Sequence, residues 1–178
     1  MKENQPFTYV GYLPEFDSVV EKISLLTNEI WNEYKERKQT GGVASYATET
    51  IPLLYTPLAT SASEAVHHKY HEYLRVEIKT VCDFVSNLIG HVEEKQSILT
   101  RMVPGTSIKS HKDKGQITEK THRVHIPITT NKMCKFTVGE TTMNLKPGDI
   151  WIIDNTDRYH SVENLGKSSR IHLIVDMA

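Results

Sequence analysis

The sequence predicts a mainly β (α+β) fold, a sandwich or jelly roll of short strands braced by helices in the N-terminal half. Two observations predict it. Apolar residues follow helical spacing in the first half of the chain, whereas from Ser97 onward they form short β-type runs separated by turn signals. The length of 178 residues suits a single domain over residues 1–178, with helical support at roughly 16–90 and a strand-rich core at roughly 97–176.

The first predicted helix runs from Phe16 to Lys38, where apolar side chains recur at helical spacing and line one face. Gly41-Gly42 supplies a stop signal behind it. A short β-prone run follows at residues 50–55. Because Pro52 cannot donate a backbone hydrogen bond, this run is predicted to be an edge strand or an extended connector.

A second, longer helix is predicted from a capping box formed by Ser61 and Glu64 down to Gly90, with one break at most. Eight short β-type runs follow it, and their turn signals include Pro104-Gly105. The predicted strands are residues 98–103, 107–111, 123–129, 134–138, 141–145, 150–153, 160–163 and 170–176.

The composition excludes several classes of protein. A net charge of -1 with 38% hydrophobic residues is typical of a soluble globular domain and indicates neither a nucleic acid nor a membrane surface as partner. Two cysteines are too few for a disulfide framework or a cysteine-based zinc site. No stretch resembles a secretory signal or a bilayer span, so we expect a cytoplasmic protein; its oligomeric state is not predicted.

Three side chains have the residue types and spacing of a metal site. His111 and Asp113 are two positions apart, so on a strand or its extended continuation they point to the same side, and His160 begins a later predicted strand. Two histidines and one carboxylate form the facial triad of non-haem iron(II) oxygenases. We therefore predict that these three residues bind Fe(II) and leave positions free for a keto acid and for O2.

Two arginines and a further histidine are candidates for binding the keto acid. An Asn and a Gly within residues 163–169 predict a hairpin turn, which would set Arg170 across a strand pair from His160, about 5 Å away between Cβ atoms. The planar guanidinium of Arg170 would then hold the far carboxylate of 2-oxoglutarate. Arg123 and His125 share one strand face while apolar residues take the other, and a bound anion would compensate their burial.

The order of these motifs carries a resemblance to a known family. The motifs are Pro104-Gly105-Thr106, His111, Arg123-x-His125, His160 and Arg170. Over residues 100–176 the chain resembles the aspartyl/asparaginyl β-hydroxylase branch of the iron(II)- and 2-oxoglutarate-dependent dioxygenases. The resemblance implies a double-stranded β-helix (jelly roll, cupin-like), iron bound by His111 and His160, 2-oxoglutarate bound by Arg170, and a cosubstrate pocket that includes Thr100, Arg123 and His125. Asp113 is a departure, since the best-known animal members look glycine-like there.

The resemblance implies a hydroxylase that acts on an amino acid or on an amino-acid residue in a peptide, aspartyl/asparaginyl- or prolyl-hydroxylase-like. The alternative is a non-catalytic, cupin-like metal- or ligand-binding module, which has no need for a carboxylate clamp at Arg170. Taken alone, Arg170 could instead pair with Asp154 or Asp176. His172 shares a face with Arg170 and could approach the site, but it is expected to be a satisfied core histidine. Residues 112–120 are expected to form an exposed loop, and a further hypothesis is that this loop covers the substrate. The remaining histidine cluster, His67, His68 and His71, is predicted to be a solvated helix face.

Overall fold

The computed structural model describes residues 5–34, 43–55, 64–115 and 117–178. Within these ranges two antiparallel sheets face each other, and helices pack on the outer face of the larger sheet. This arrangement confirms the predicted mainly β fold braced by helices. Among the described helices, none has the length and apolar character needed to span a bilayer.

Each of the eight predicted strands is present, with ends that shift by a few residues at most. The strands are β1 (Phe7–Tyr12), β2 (Glu49–Tyr55), β3 (Val66–His67), β4 (Glu94–Met102), β5 (Thr106–His111), β6 (His122–Thr129), β7 (Cys134–Val138), β8 (Thr141–Met143), β9 (Asp149–Ile153), β10 (His160–Asn164) and β11 (Arg170–Met177). Strand β1 was not predicted, because it is stabilised by pairing with β9, far along the chain. At Pro52, β2 pairs on one side only, with β4, as expected for an edge position.

The first helix is shorter than predicted. It is divided into α1 (Phe16–Ser24) and α2 (Asn28–Glu33), so the prediction of one helix to Lys38 was wrong within the described residues. The break lets α2 turn its buried Trp31 against Arg101 of β4, whose guanidinium lies 4.8 Å from the indole ring centre. Tertiary packing therefore overrides the continuous helical periodicity.

The second helix begins later than predicted. After α3 (Val43–Ala47), helix α4 (Arg75–Ile89) follows a short 3₁₀ turn and ends before Gly90 as expected, where φ is 95°. Residues 66–67 form strand β3 instead of helix because they pair with the end of β2. Ser61 of the predicted capping box lies outside the described residues.

From β4 onward, strands that follow each other along the chain lie mostly in different sheets. The larger sheet has the order β1-β9-β6-β11-β4-β2-β3 and the smaller has β5-β10-β7-β8, so the chain crosses repeatedly from one to the other after β4. This is the topology of a double-stranded β-helix. One core lies between the helices and the larger sheet, and a second, which includes Met102, Phe136 and Val162, lies between the two sheets.

The predicted hairpin between His160 and Arg170 was wrong. Strand β10 pairs with β5 and β7, whereas β11 pairs with β4 and β6, so the two consecutive strands lie in opposite sheets. Asn164 stabilises the crossing, since its buried amide donates to the carbonyls of Met102 and Ser168, each at 3.0 Å. The turn signal indicated a change of direction, but it could not indicate which strands would become neighbours.

Candidate metal centre and anion pocket

Strands β5 and β10 bring the two ligand candidates His111 and His160 together. The residues are directly paired in the antiparallel register, and their ring centroids are 4.2 Å apart. The Nδ1 atom of His111 lies 2.8 Å from the carbonyl oxygen of Lys109. A carbonyl can only accept a hydrogen bond, so Nδ1 carries a proton and Nε2 is the nitrogen left to face a metal.

Asp113 completes the cluster from the segment directly after β5. Its Oδ1 atom lies 3.4 Å from Nε2 of His111 and 3.8 Å from Nε2 of His160. One ligand atom from each of the three residues lies within 4.8 Å of the others. This donor set fits a divalent iron ion, because two imidazole nitrogens and one carboxylate oxygen converge from one side.

The second oxygen of Asp113 is occupied by other side chains. Its Oδ2 atom accepts hydrogen bonds from Nη1 of Arg123 and, at 2.7 Å, from Nδ2 of Asn155. The backbone carbonyl of Asn155 also accepts from the N–H of Asp113 at 2.9 Å. Asn155 was missed by the sequence analysis, because nothing in the local sequence indicates Asp113, 42 positions earlier, as its partner.

Charge and burial oppose each other at this cluster. Burial alone would raise the pKa of Asp113, but the charge of Arg123 and the surrounding hydrogen bonds hold that pKa well below its usual range. Burial lowers the pKa of His160 to about 4 despite the nearby Asp113 carboxylate, whereas the hydrogen bond to Asp113 raises the pKa of His111. The cluster at neutral pH therefore holds an ionised carboxylate and a neutral His160.

Arg170 reaches the interior from the opposite sheet. It is buried, and its Nη2 atom lies 3.1 Å from Nδ1 of His172. Within the described ranges it has no acidic partner, since the two candidates Asp154 and Asp176 pair with Arg158 and Arg123. Burial lowers the pKa of Arg170 to about 10. Its guanidinium lines a small cavity with Thr130, Cys134, Lys135, Phe136, Met143, Leu145 and His172.

Phe136 of β7 lies between this cavity and the candidate metal ligands. Its ring centre is 5.5 Å from the guanidinium carbon of Arg170 and 6.3 Å from the ring of His160. His125 packs edge-on against the same ring at 5.3 Å, and its Nδ1 is 3.3 Å from Nδ1 of His172. Burial holds the pKa values of both His125 and His172 well below the usual range, so both rings are neutral.

The two predicted faces of β6 are confirmed. Val124, Ile126 and Ile128 pack towards the helices, while Arg123 and His125 point between the sheets. Thr100 of β4 lies opposite His172 in register and is buried. Arg123 does not require the external anion that was inferred from its burial, because carboxylates of the chain already pair with it.

The other histidine cluster does not form a helix face. His67 of β3 is exposed, His68 is half-buried with its Nε2 atom 2.9 Å from the carbonyl oxygen of Tyr55, and His71 is buried and lies 2.9 Å from the carboxylate of Glu94. The prediction of solvated side chains is therefore wrong for His71. Its partner could not be read from the local sequence, because Glu94 belongs to a strand beyond helix α4.

Comparison with known proteins gives one family. Residues 27–178 match the family described as aspartyl/asparaginyl β-hydroxylase. A 2OG-Fe(II) oxygenase-family oxidoreductase from Burkholderia pseudomallei is similar in structure, with a TM-score of 0.60 and 13% identity over 74% of this chain and 67% of that one. The collagen prolyl hydroxylase of Paramecium Bursaria Chlorella virus-1, solved as a 2OG complex, gives a TM-score of 0.58 with 9% identity over 98% and 96% of the two chains. At these identities the structural likeness concerns the double-stranded β-helix fold.

Proposed function

The chain belongs to the aspartyl/asparaginyl β-hydroxylase family of iron(II)- and 2-oxoglutarate-dependent oxygenases, and we propose that His111, Asp113 and His160 bind its iron while Arg170 binds 2-oxoglutarate. The observation that supports the metal assignment most is the convergence of two imidazole nitrogens and one carboxylate oxygen within 4.8 Å of one another. The substrate class is an amino acid, either free or as a residue of a peptide.

The proposed roles follow from the contacts of each side chain. The hydrogen bond from Nδ1 of His111 to Lys109 keeps Nε2 available for the metal, while Asp113 supplies the anionic ligand. Arg170 would neutralise the far carboxylate of 2-oxoglutarate, because no acid of the described residues competes for it. When bound, iron and 2-oxoglutarate supply the oxidising chemistry, which transfers one oxygen atom of O2 to a C–H bond of the substrate as 2-oxoglutarate loses CO2.

Phe136 supports the assignment of Arg170 as the cosubstrate clamp. A keto acid that extends from the candidate metal ligands to Arg170 would pass along this ring, which packs against His160 at one end and Arg170 at the other. Its apolar surface excludes water beside the guanidinium, and charge-assisted hydrogen bonds are stronger in such surroundings. The non-catalytic alternative gains no comparable support, since it leaves a buried arginine without an anion.

The metal site is tested by spectroscopy without turnover. Anaerobic addition of Fe(II) and 2-oxoglutarate should produce a metal-to-ligand charge-transfer band in the visible, and His111→Ala and His160→Ala should abolish it. His91→Ala is the control, because this side chain is 84% exposed. A folded wild-type protein that gives no band would contradict the proposal.

The substrate class is tested by mass spectrometry. We expect one member of a panel of free amino acids and short peptides, incubated with Fe(II), 2-oxoglutarate and air, to gain a single oxygen atom. The product should be absent with the His160→Ala variant. Oxidation of 2-oxoglutarate to succinate without any modified panel member would place the substrate outside this class.

A further inference from the structure

Arg123 contacts one of the candidate metal ligands, the carboxylate of Asp113, and does not line the cavity of Arg170. It stands on β6 directly opposite Asp176 of β11, and the two side chains form a bidentate pair. Nε donates to Oδ1 and Nη2 to Oδ2 of Asp176, each at 2.7 Å. Asp176 is only 2% exposed, so this pair is shielded from solvent and fixes the plane of the guanidinium.

The fixed guanidinium directs its remaining nitrogen at Asp113. Nη1 donates to Oδ2 of Asp113, and Asn155 donates to the same oxygen from the other side. The two oxygens of this carboxylate are therefore distinct: Oδ2 is held by two donors, and Oδ1 faces the imidazoles of His111 and His160. Such outer contacts orient a carboxylate so that one defined oxygen is presented to a metal.

Charge explains why Asp176 is part of the arrangement. A guanidinium so close to a divalent cation would repel it, and the buried Asp176 carboxylate offsets this repulsion. Arg123 then contributes hydrogen bonds to Asp113 without adding a net positive charge beside the metal. Three of its five N–H donors are used by the two carboxylates, and its side-on fork is used entirely by Asp176.

We propose that Arg123, fixed by Asp176 and assisted by Asn155, is a positioning residue for the metal ligand Asp113 and not a ligand of 2-oxoglutarate. The inference rests on the proposed function, since it takes Asp113 as a ligand. It differs from the role that the family resemblance implies for Arg123, which is to line the cosubstrate pocket. The two roles make opposite predictions for metal and cosubstrate affinity.

The test measures two affinities on Arg123→Lys and Arg123→Met. Mn(II) binding to the metal-free protein is followed by EPR, and 2-oxoglutarate binding is then measured anaerobically at saturating Mn(II). We expect Mn(II) affinity to fall about 10- to 100-fold in the Met variant, as is typical when an outer partner of a metal ligand is removed. The affinity for 2-oxoglutarate should change by less than about threefold, and Asp176→Asn should follow the same pattern.

Arg101 provides a matched control. Its side chain is 13% exposed, the same fraction as that of Arg123, and it pairs with Glu49 away from the metal candidates. Arg101→Met should leave Mn(II) affinity unchanged. If Arg123→Met does not fold, Asn155→Ala tests the same oxygen of Asp113 without removing a charge, and its Mn(II) affinity should also fall.

Three results would overturn the inference. One is unchanged Mn(II) affinity with a large loss of 2-oxoglutarate affinity in Arg123→Met, which would make Arg123 a cosubstrate ligand. Another is wild-type affinity for both in Arg123→Lys and Asn155→Ala, which would make these contacts purely structural. A third is an equal loss of Mn(II) affinity in Arg101→Met. A wild-type protein that binds no metal would instead contradict the proposed function itself.

Discussion

Arg170 is a buried cation held by neutral groups, namely the imidazole of His172 and the ring of Phe136. Burial lowers its pKa to about 10, so keeping the side chain charged in the folded protein costs free energy. Arg170 therefore lowers the stability of the ligand-free protein and has no anionic partner among the described residues. Such a residue fits a role in binding an anion, since stability and function often conflict at binding sites.

Replacing Arg170 should therefore separate stability from binding. We expect Arg170→Met to raise the free energy of unfolding of the ligand-free protein by about 1–2 kcal/mol, because a buried charge is replaced by an apolar side chain of similar length. The same change should weaken 2-oxoglutarate binding about 10- to 100-fold, the effect of losing charge-assisted hydrogen bonds. Urea denaturation and anaerobic titration measure the two effects. Arg170→Lys, which keeps the charge but not the fork, should not stabilise; a loss of stability in Arg170→Met would argue against the account.

At the residue scale the sequence indicates candidate site residues but not their hydrogen-bond partners. His111, Asp113, His160 and Arg170 could be named as candidates because their types and order are unusual together. Asn155 and Asp176 could not be assigned roles, because their partners Asp113 and Arg123 are remote in sequence. Hydrogen-bond partners of this kind are set by strand register, which local patterns do not contain.

At the scale of elements, strand β7 contributes Phe136 to the core between the two sheets. The ring is 4% exposed and packs against Phe7, His125, His160 and Arg170. Phe136→Ala should lower the free energy of unfolding by about 3–5 kcal/mol, the typical effect of truncating a buried phenylalanine, and Phe136→Leu should lower it by much less. Urea titration measures the loss of stability, provided that the m value is the same for the variants and the wild type. An effect of the Ala variant below about 1 kcal/mol would show that the ring is not part of the core.

The crossing from β10 to β11 depends on a close approach at Gly166. A Cβ atom there would clash with Oδ1 of Asn131, whose amide donates to Asn164 and to the carbonyl of Ser168. Gly166→Ala should displace Asn131 and lower the free energy of unfolding by about 1–2 kcal/mol. In the Asn131→Ala background the same change should have almost no effect, and full additivity in this double-mutant cycle would contradict the account.

The strands could be predicted because the alternation of apolar residues is a local pattern. Their assignment to one sheet or the other could not be predicted, because it depends on strand pairing. The residues of the β10–β11 connection favour a turn in either case, and only the pairing of β10 with β5 and β7 decides that the chain crosses between sheets. The helices show the same limit, since the periodicity of residues 16–38 continues past the break that separates α1 from α2.

At the scale of the whole molecule, the proposed ligands would join the two sheets. The candidate metal ligands lie in β5 and β10 of the smaller sheet and in the segment after β5, whereas Arg123 and Arg170 belong to the larger sheet. Ligands that bind only the folded protein raise its free energy of unfolding by RT ln(1 + [L]/Kd), where [L] is the free ligand concentration. Mn(II) and 2-oxoglutarate together should therefore raise the unfolding temperature, and each ligand at 100 times its Kd should add about 2.7 kcal/mol.

Variants separate the two contributions to this stabilisation. In Arg170→Met the shift caused by Mn(II) should remain while the further shift caused by 2-oxoglutarate is lost. In His160→Ala both should be lost, because 2-oxoglutarate is expected to bind through the metal. Differential scanning calorimetry provides the measurement. A full shift with 2-oxoglutarate alone, in the absence of metal, would contradict the proposed arrangement.

The central claim is that one ion is shared by side chains from β5, β10 and the segment after β5. Anomalous X-ray diffraction from a crystal grown with Mn(II) under anaerobic conditions tests it most directly. We predict a single strong peak in contact with Nε2 of His111, Nε2 of His160 and Oδ1 of Asp113, with Arg123 still bonded to Oδ2. A peak that lies elsewhere, or no peak beside two imidazoles that have turned away from each other, would contradict the account.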